Sequence, residues 1–206
     1  AGMGAGPQHS QAIYPIFAHI PGLKVVLPSG AYDAKGLLIQ SIRDNDPVMF
    51  CEHKMLYGEE EEVPEESYQI PLGEARVVRE GSDVTVVALG RMVHLAVEAA
   101  GELEEQGISV AVIDPRTISP LDVDTILDSV EETGRVVVVD EATPICSMAS
   151  EIASMIVSDG FSSLRAPIRK VTAPHTPVPA SPVLEAGYAP TAASIREAVE
   201  AVYNYR

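Results

Sequence analysis

Five histidines (His9, His19, His53, His94, His175) and two cysteines (Cys51, Cys146) are the side chains of this sequence best suited to proton transfer, metal ligation or nucleophilic attack. Their spacing excludes several chemistries. No two histidines stand four apart, the cysteines form no Cys-x-x-Cys pair, and no mixed His/Cys/carboxylate cluster has zinc-site spacing. Gly-x-Ser-x-Gly, the usual hydrolase nucleophile turn, is absent, as are Gly-x-Gly-x-x-Gly and Gly-x-x-x-x-Gly-Lys-Ser/Thr. Leu89-Gly90-Arg91 joins a strand pattern to a helix pattern, where backbone N–H groups meet anions, but a single glycine reads as a tight turn.

His9 holds the most chemical interest. It follows the glycine-dense Ala1-Gly2-Met3-Gly4-Ala5-Gly6-Pro7, where a loop gives way to the apolar Ala12-Ile13-Tyr14. At a helix N-terminus the dipole favours a neutral imidazole, able to give or take a proton near neutral pH. From spacing alone, a structural hydrogen bond at the helix start is the plainer role. His19 and His53 fall in polar breaks and His94 sits beside Val93 on a helix face, so packing or surface positions are expected. His175 belongs to Ala173-Pro174-His175-Thr176-Pro177-Val178-Pro179, a proline-stiffened loop suited to docking against another surface.

The elements that must position these residues follow from composition and periodicity. With 206 residues and 46% hydrophobic content, the chain can bury roughly 70% of its unfolded surface without disulfides. Fourteen Lys+Arg against 30 Asp+Glu give a net charge of −16, which disfavours nucleic acid and anionic lipid, since both are bound mainly through cations. The run Val136 to Val139 is far shorter than the roughly 20 residues of a membrane crossing. Cysteine usage suits a reduced, cytoplasmic chain. The first residues show no initiator Met, basic region or apolar core of a signal peptide, so they read as neither a leader nor a native start.

Lys24 to Pro28 and Val48 to Glu52 read as strands around a helix over Asp33 to Arg43, with Ala34, Leu37, Leu38, Ser41 and Ile42 on its packed face. Residues 54–72 lose periodicity, and Glu59 to Glu62, Glu65 and Glu66 make them a solvated acidic linker. Strands at 84–89, 109–113, 135–140 and 168–172 then alternate with helices at 92–105, 120–130, 148–159 and 192–203. Ser119 is expected to cap the second helix, with Pro120 at its first position. The alternation predicts an α/β fold with a mostly parallel sheet and helices on both faces.

Gly6-Pro7-Gln8-His9-Ser10-Gln11, His19-Ile20-Pro21-Gly22-Leu23-Lys24-Val25-Val26, Asp33-Ala34-Lys35-Gly36-Leu37-Leu38, Ile42-Arg43-Asp44-Asn45-Asp46-Pro47 and Leu56-Tyr57-Gly58 resemble the beta subunits of thiamine-diphosphate-dependent 2-oxo acid dehydrogenases, in the transketolase superfamily. Glu80 to Thr85, Ile113-Asp114-Pro115-Arg116-Thr117-Ile118-Ser119-Pro120 and Val139-Asp140-Glu141-Ala142 continue the resemblance. Within the family, Phe50 to Lys54, Cys146 to Ala149 and the His175 loop are most similar to the acetoin dehydrogenases, with pyruvate dehydrogenases next.

The resemblance implies part of a parallel-sheet pyrimidine-binding domain (1–55), the acidic linker (56–72) and a complete transketolase C-terminal domain (73–206). It implies that His9 is the active-site histidine, assisting proton transfer as an acyl group passes to a lipoyl dithiolane. Ser41, Ile42, Asp44 and Asp46 match a structural potassium site, with Asp46 where the family commonly has Asn. Thiamine diphosphate and Mg2+ would be held largely by an alpha subunit and by regions upstream of the match, so no cofactor-binding residue is assigned here. This portion alone is then expected to be inactive, since the family's activating glutamate has no counterpart in it. The implied partners are that alpha subunit, a second beta subunit and a lipoyl-bearing acyltransferase core. A competing expectation from another class is a non-catalytic assembly module.

Overall fold

The computed structural model describes residues 1–205. Strands β1 (Lys24–Val26) and β2 (Val48–Phe50) pair in parallel, joined by helix α3 (Ala31–Arg43). Two short helices, α1 (Pro7–Ser10) and α2 (Tyr14–Ala18), precede them. Val25 and Val26 are fully buried, as β-branched residues on a covered strand should be. On α3 the buried residues are Asp33, Gly36 and Leu37, whereas Leu38 and Ile42 are 43% and 75% exposed, against the expected packed face. The reason is Gly36. A Cβ there would stand 2.6 Å from Ile70 Cγ1, so the linker lies directly on the helix and rotates its buried face away from Leu38 and Ile42.

The linker is therefore solvated yet anchored. Its glutamates are exposed, but Ile70 is buried, Tyr68 stacks on Tyr32 at 4.6 Å, and a Glu61 carboxylate oxygen accepts from the Tyr32 N–H at 2.8 Å in the first turn of α3.

In the second unit, β4 (Val84–Ala88), β5 (Val110–Asp114), β7 (Val136–Asp140) and β8 (Arg169–Thr172) form a parallel sheet, with β3 (Arg76–Arg79) antiparallel on the β5 edge. The order is β3-β5-β4-β7-β8. Helices α4 (Met92–Glu104) and α8 (Ala192–Tyr203) cover one face, and α5 (Val123–Thr133) and α6 (Met148–Gly160) the other. Every residue of β4, β5 and β7 is buried, which explains their near-continuous Val/Ile/Ala runs.

One expected helix start is corrected. Ser119 belongs to a short strand, β6 (Thr117–Ser119), and the helix begins at Val123, where the Asp122 carboxylate accepts from the Thr125 N–H at 3.1 Å. Asp122 is the stronger cap, and Ser119 is used elsewhere: β6 pairs antiparallel with β1, and the Ser119 hydroxyl donates to the Leu23 carbonyl at 2.9 Å. The second unit thereby completes the small sheet of the first, in the order β2-β1-β6.

Candidate active site

The chain leaves β4 toward β5 on one side and later reaches β7 on the other, so the carboxyl ends of β4 and β7 form a topological switch point, where open α/β sheets bind ligands. A cavity of about 220 Å³ lies there. Leu89, Gly90, Arg91 and Glu141 line it from the second unit, and His9, Tyr14, Cys51 and His53 from the first.

His9 reaches this cavity from an exposed position. It stands in the last turn of the four-residue α1, not at the N-terminus of a longer helix, so the dipole expected to act on it is absent. Two contacts position the wall around it. The His53 ring nitrogen Nε2 lies 2.6 Å from the Glu141 carboxylate, and Tyr14 donates its phenolic proton to Asp140. Asp140 also accepts from the N–H groups of Ala142 (2.9 Å) and Ala149 (3.2 Å), which fixes the start of α6. Burial pushes the Asp140 carboxyl up, and it pushes the Tyr14 phenol well up with help from the Asp140 charge. Burial also opposes ionisation of Glu141, but the His53 hydrogen bond and charge act against it, and this acid is held below the usual range.

A second buried polar cluster lies between the units. Ser29 donates to Asp114, whose other oxygen accepts from the Arg116 N–H at 2.8 Å, and His94 Nε2 stands 2.6 Å from the Ser29 carbonyl. Asp33, fully buried, faces the guanidinium groups of Arg76 and Arg116, each at 3.4 Å. Burial raises Asp114 to about 6, with Ser29 and the Arg116 N–H opposing.

The expected cation turn is differently arranged. Lys24 Nζ sits 2.8 Å from both Asp44 carboxylate oxygens and 3.1 Å from Asp46 Oδ2. Hydrogen bonds from Lys24 and the Asp46 N–H hold Asp44 below its ordinary range. The carboxylates are thus matched by an ammonium group, and the Ser41 hydroxyl donates to the Leu37 carbonyl at 2.7 Å.

His175 lies exposed beside a surface hollow that it lines with Ile13, Ile16, Ile145 and Cys146. No helix among the described residues is long and apolar enough to cross a membrane.

Residues 73–195 match the transketolase C-terminal domain family, and residues 1–60 the transketolase pyrimidine-binding domain family. The acetoin:2,6-dichlorophenolindophenol oxidoreductase subunit beta of Cupriavidus necator is 59% identical over 198 residues, 96% of this chain. The chain belongs to the transketolase family, with matches to both its pyrimidine-binding and its C-terminal domains. Other relatives resemble this chain in the same way. The acetoin:2,6-dichlorophenolindophenol oxidoreductase subunit beta of Bacillus subtilis is 56% identical over 93% of it, and the pyruvate dehydrogenase E1 component subunit beta of that organism 51% over 84%. A solved structure described as a split gene transketolase, inactive beta4 tetramer, superposes with a TM-score of 0.78 at 26% identity, covering 92% of this chain and 60% of the other. The chain spans 59%, 56% and 54% of the lengths of the three curated relatives.

The family resemblance singled out His9, and sequence spacing missed the residues that surround it. His53 was expected at a packing or surface position, and it lines the cavity paired with Glu141, which no spacing rule connects across 88 positions. One signal was available: Asp140 and Glu141 close a run of four valines, and the carboxyl end of a fully buried strand is where such sheets bind ligands.

Proposed function

We propose that this chain is the greater part of the beta subunit of a thiamine-diphosphate-dependent acetoin dehydrogenase that cleaves acetoin and passes the acetyl unit to lipoamide. The observation that supports this most directly is His9 at a switch-point cavity closed by both units, in a chain 59% identical to an acetoin-oxidising beta subunit. Breaking the central C–C bond of acetoin releases acetaldehyde and leaves a two-carbon unit at the aldehyde level. Opening the lipoyl S–S bond takes two electrons from that unit; one sulfur keeps the acetyl group and the other takes a proton.

Thiamine diphosphate supplies the electron sink for the C–C cleavage. No residue of this chain is assigned to its magnesium diphosphate end. That end fits an alpha subunit, as the resemblance implies. His9 would deliver the proton to the departing sulfur, and Leu27, Leu89 and Tyr14 would limit water around it. Partners are accordingly an alpha subunit, a second beta subunit and a lipoyl-bearing acyltransferase. A monovalent cation at Ser41, Ile42, Asp44 and Asp46 would rest on main-chain carbonyls.

A pyruvate dehydrogenase is the second reading, favoured by the 51% identity to that beta subunit. Steady-state rates of the complete alpha–beta enzyme with acetoin and with pyruvate decide between them; a clear preference for pyruvate overturns the acetoin assignment. Tight thiamine diphosphate binding by the 206-residue chain alone would overturn the alternative of a non-catalytic assembly module.

A further inference from the structure

The loop that carries His9 has little packing of its own. Helix α1 buries no side chain, and no side chain caps it. The preceding Ala1-Gly2-Met3-Gly4-Ala5-Gly6 turns through three left-handed positions, with φ of 104° at Gly2, 63° at Gly4 and 69° at Gly6. Gly6, with ψ of −176°, lies in a region open essentially only to glycine. Such a path turns successive N–H groups toward one side, forming a concavity that suits an anion.

The anion is supplied by the far end of the chain. Glu185 closes the short helix α7 (Pro182–Glu185) and is 4% exposed. Its Oε1 accepts from the Gly2 N–H at 2.7 Å, and its Oε2 accepts from the Gly4 N–H. The same segment lies along the rest of the loop. A Cβ at Gly4 would stand 3.7 Å from Pro182 Cγ, and one at Gly6 3.5 Å from the Ala180 Cβ. The Gly2 hydrogen bond, then the Gly4 one, hold the acid below its ordinary range against the opposing effect of burial, so the clamp is charged at neutral pH.

We infer that Glu185 is a positioning residue for His9: its carboxylate grips the Gly2 and Gly4 amides and thereby sets where the imidazole stands in the cavity. This rests on the reading of His9 as the proton donor in acyl transfer, and it adds a residue more than 170 positions away that touches no reacting atom. The geometry also explains why three glycines precede His9. A side chain at Gly2 or Gly4 would disfavour the turn that presents both amides to one carboxylate.

The test uses the complete beta subunit assembled with its alpha subunit, comparing wild type with Glu185→Gln, Glu185→Asp and His9→Ala. Hydrogen exchange is followed on the peptide spanning residues 1–12. Lipoyl-domain acylation is compared with reduction of dichlorophenolindophenol, an acceptor that needs no proton delivered to sulfur. Glu185→Gln should speed exchange at Gly2 and Gly4 and lower the ratio of acylation to dye reduction about tenfold or more. Glu185→Asp restores the charge without the reach and should fall between the two. Unchanged exchange in Glu185→Gln overturns the clamp. Faster exchange with both activities falling in proportion reduces Glu185 to a structural contact and overturns the positioning role. A wild-type enzyme inactive on both acetoin and pyruvate overturns the functional reading, and with it the catalytic role of the clamp, while exchange still decides the clamp itself.

Discussion

His53 Nε2 and Glu141 Oε2 meet at 2.6 Å, joining the segment after β2 to the segment after β7 at the wall of the candidate active site. Glu141 is 6% exposed, so its partner governs both its charge and the closure between the units. His53→Ala leaves a buried carboxylate short of a hydrogen bond and should cost about 1–3 kcal/mol at pH 7. The sign with pH follows from the direction of the shift. A carboxyl held low in the folded state contributes stability above its unfolded value, about 4.3, and loses it as pH falls through the lower folded value. Removing His53 should therefore narrow the gap in melting temperature between variant and wild type as pH drops from 5 toward 3. A gap constant over that window rejects the pairing as the cause.

Asp114 behaves in the opposite sense. Its folded value of about 6 exceeds the unfolded value near 3.9, so the folded chain binds more protons between them and stability falls as pH rises through that window. The groups facing it are Ser29, Asp33, Arg116 and, through the Ser29 carbonyl, His94. For one buried carboxyl the effect is on the order of 3 kcal/mol. Asp114→Asn removes it. The difference in unfolding free energy, wild type minus Asp114→Asn, should decline from pH 4 to pH 6.5 and be flat above. Subtraction cancels Asp33, Asp140 and Glu141, which titrate in both proteins. A pH-independent difference would refute the assignment.

Gly36→Ala tests the seat of the linker. Alanine gains about 1 kcal/mol of helix propensity over glycine, but its methyl group would stand 2.6 Å from Ile70 Cγ1 and 2.7 Å from Tyr68 Cε2. Overpacking of that kind costs roughly 1–3 kcal/mol and exceeds the propensity gain. Urea denaturation should show a net loss in Gly36→Ala, and in a double-mutant cycle that loss should be smaller in an Ile70→Ala background than in the wild type. A stabilised single variant would show that the linker does not rest on α3.

The parallel sheet was legible because β4, β5 and β7 are buried along their whole length, and their Val and Ile runs leave no other reading. β6 was not. Thr117-Ile118-Ser119 looks like a turn because its partner, β1, lies more than 90 positions earlier and in another unit. The glutamates of the linker were read correctly as exposed, but Tyr68 and Ile70 gave no local sign that they bind α3, since the fit is made by Gly36 and Tyr32 on the other element. At the site, His9 was marked by its glycine loop. His53, Tyr14 and Glu185 matter through long-range partners, which one-dimensional spacing cannot show.

The cation turn yields a prediction about which oxygens are used. Lys24 already pairs with the carboxylates of Asp44 and Asp46, so a monovalent cation bound at this turn is expected to depend on main-chain carbonyls and tolerate loss of a side-chain charge. In the complete beta subunit, potassium chloride in place of tetramethylammonium chloride at equal ionic strength should raise the melting temperature equally for wild type and Asp46→Asn. Equal melting temperatures in the two salts would reject a cation at this turn.

His9→Ala distinguishes a chemical from a structural histidine. The side chain is exposed, α1 buries nothing, and His9 forms no side-chain hydrogen bond among the described residues, so its removal should leave stability within about 0.5 kcal/mol of the wild type. If His9 gives the proton to the sulfur that leaves the opened dithiolane, lipoyl acylation in the assembled enzyme should fall about 100-fold or more, the range of a lost general acid. Thiamine diphosphate affinity should change far less, because the proposed function assigns the cofactor's diphosphate end to the alpha subunit. Parallel losses of cofactor affinity and acylation would assign His9 a structural role, and the Glu185 clamp would then serve the shape of the cavity instead of a proton.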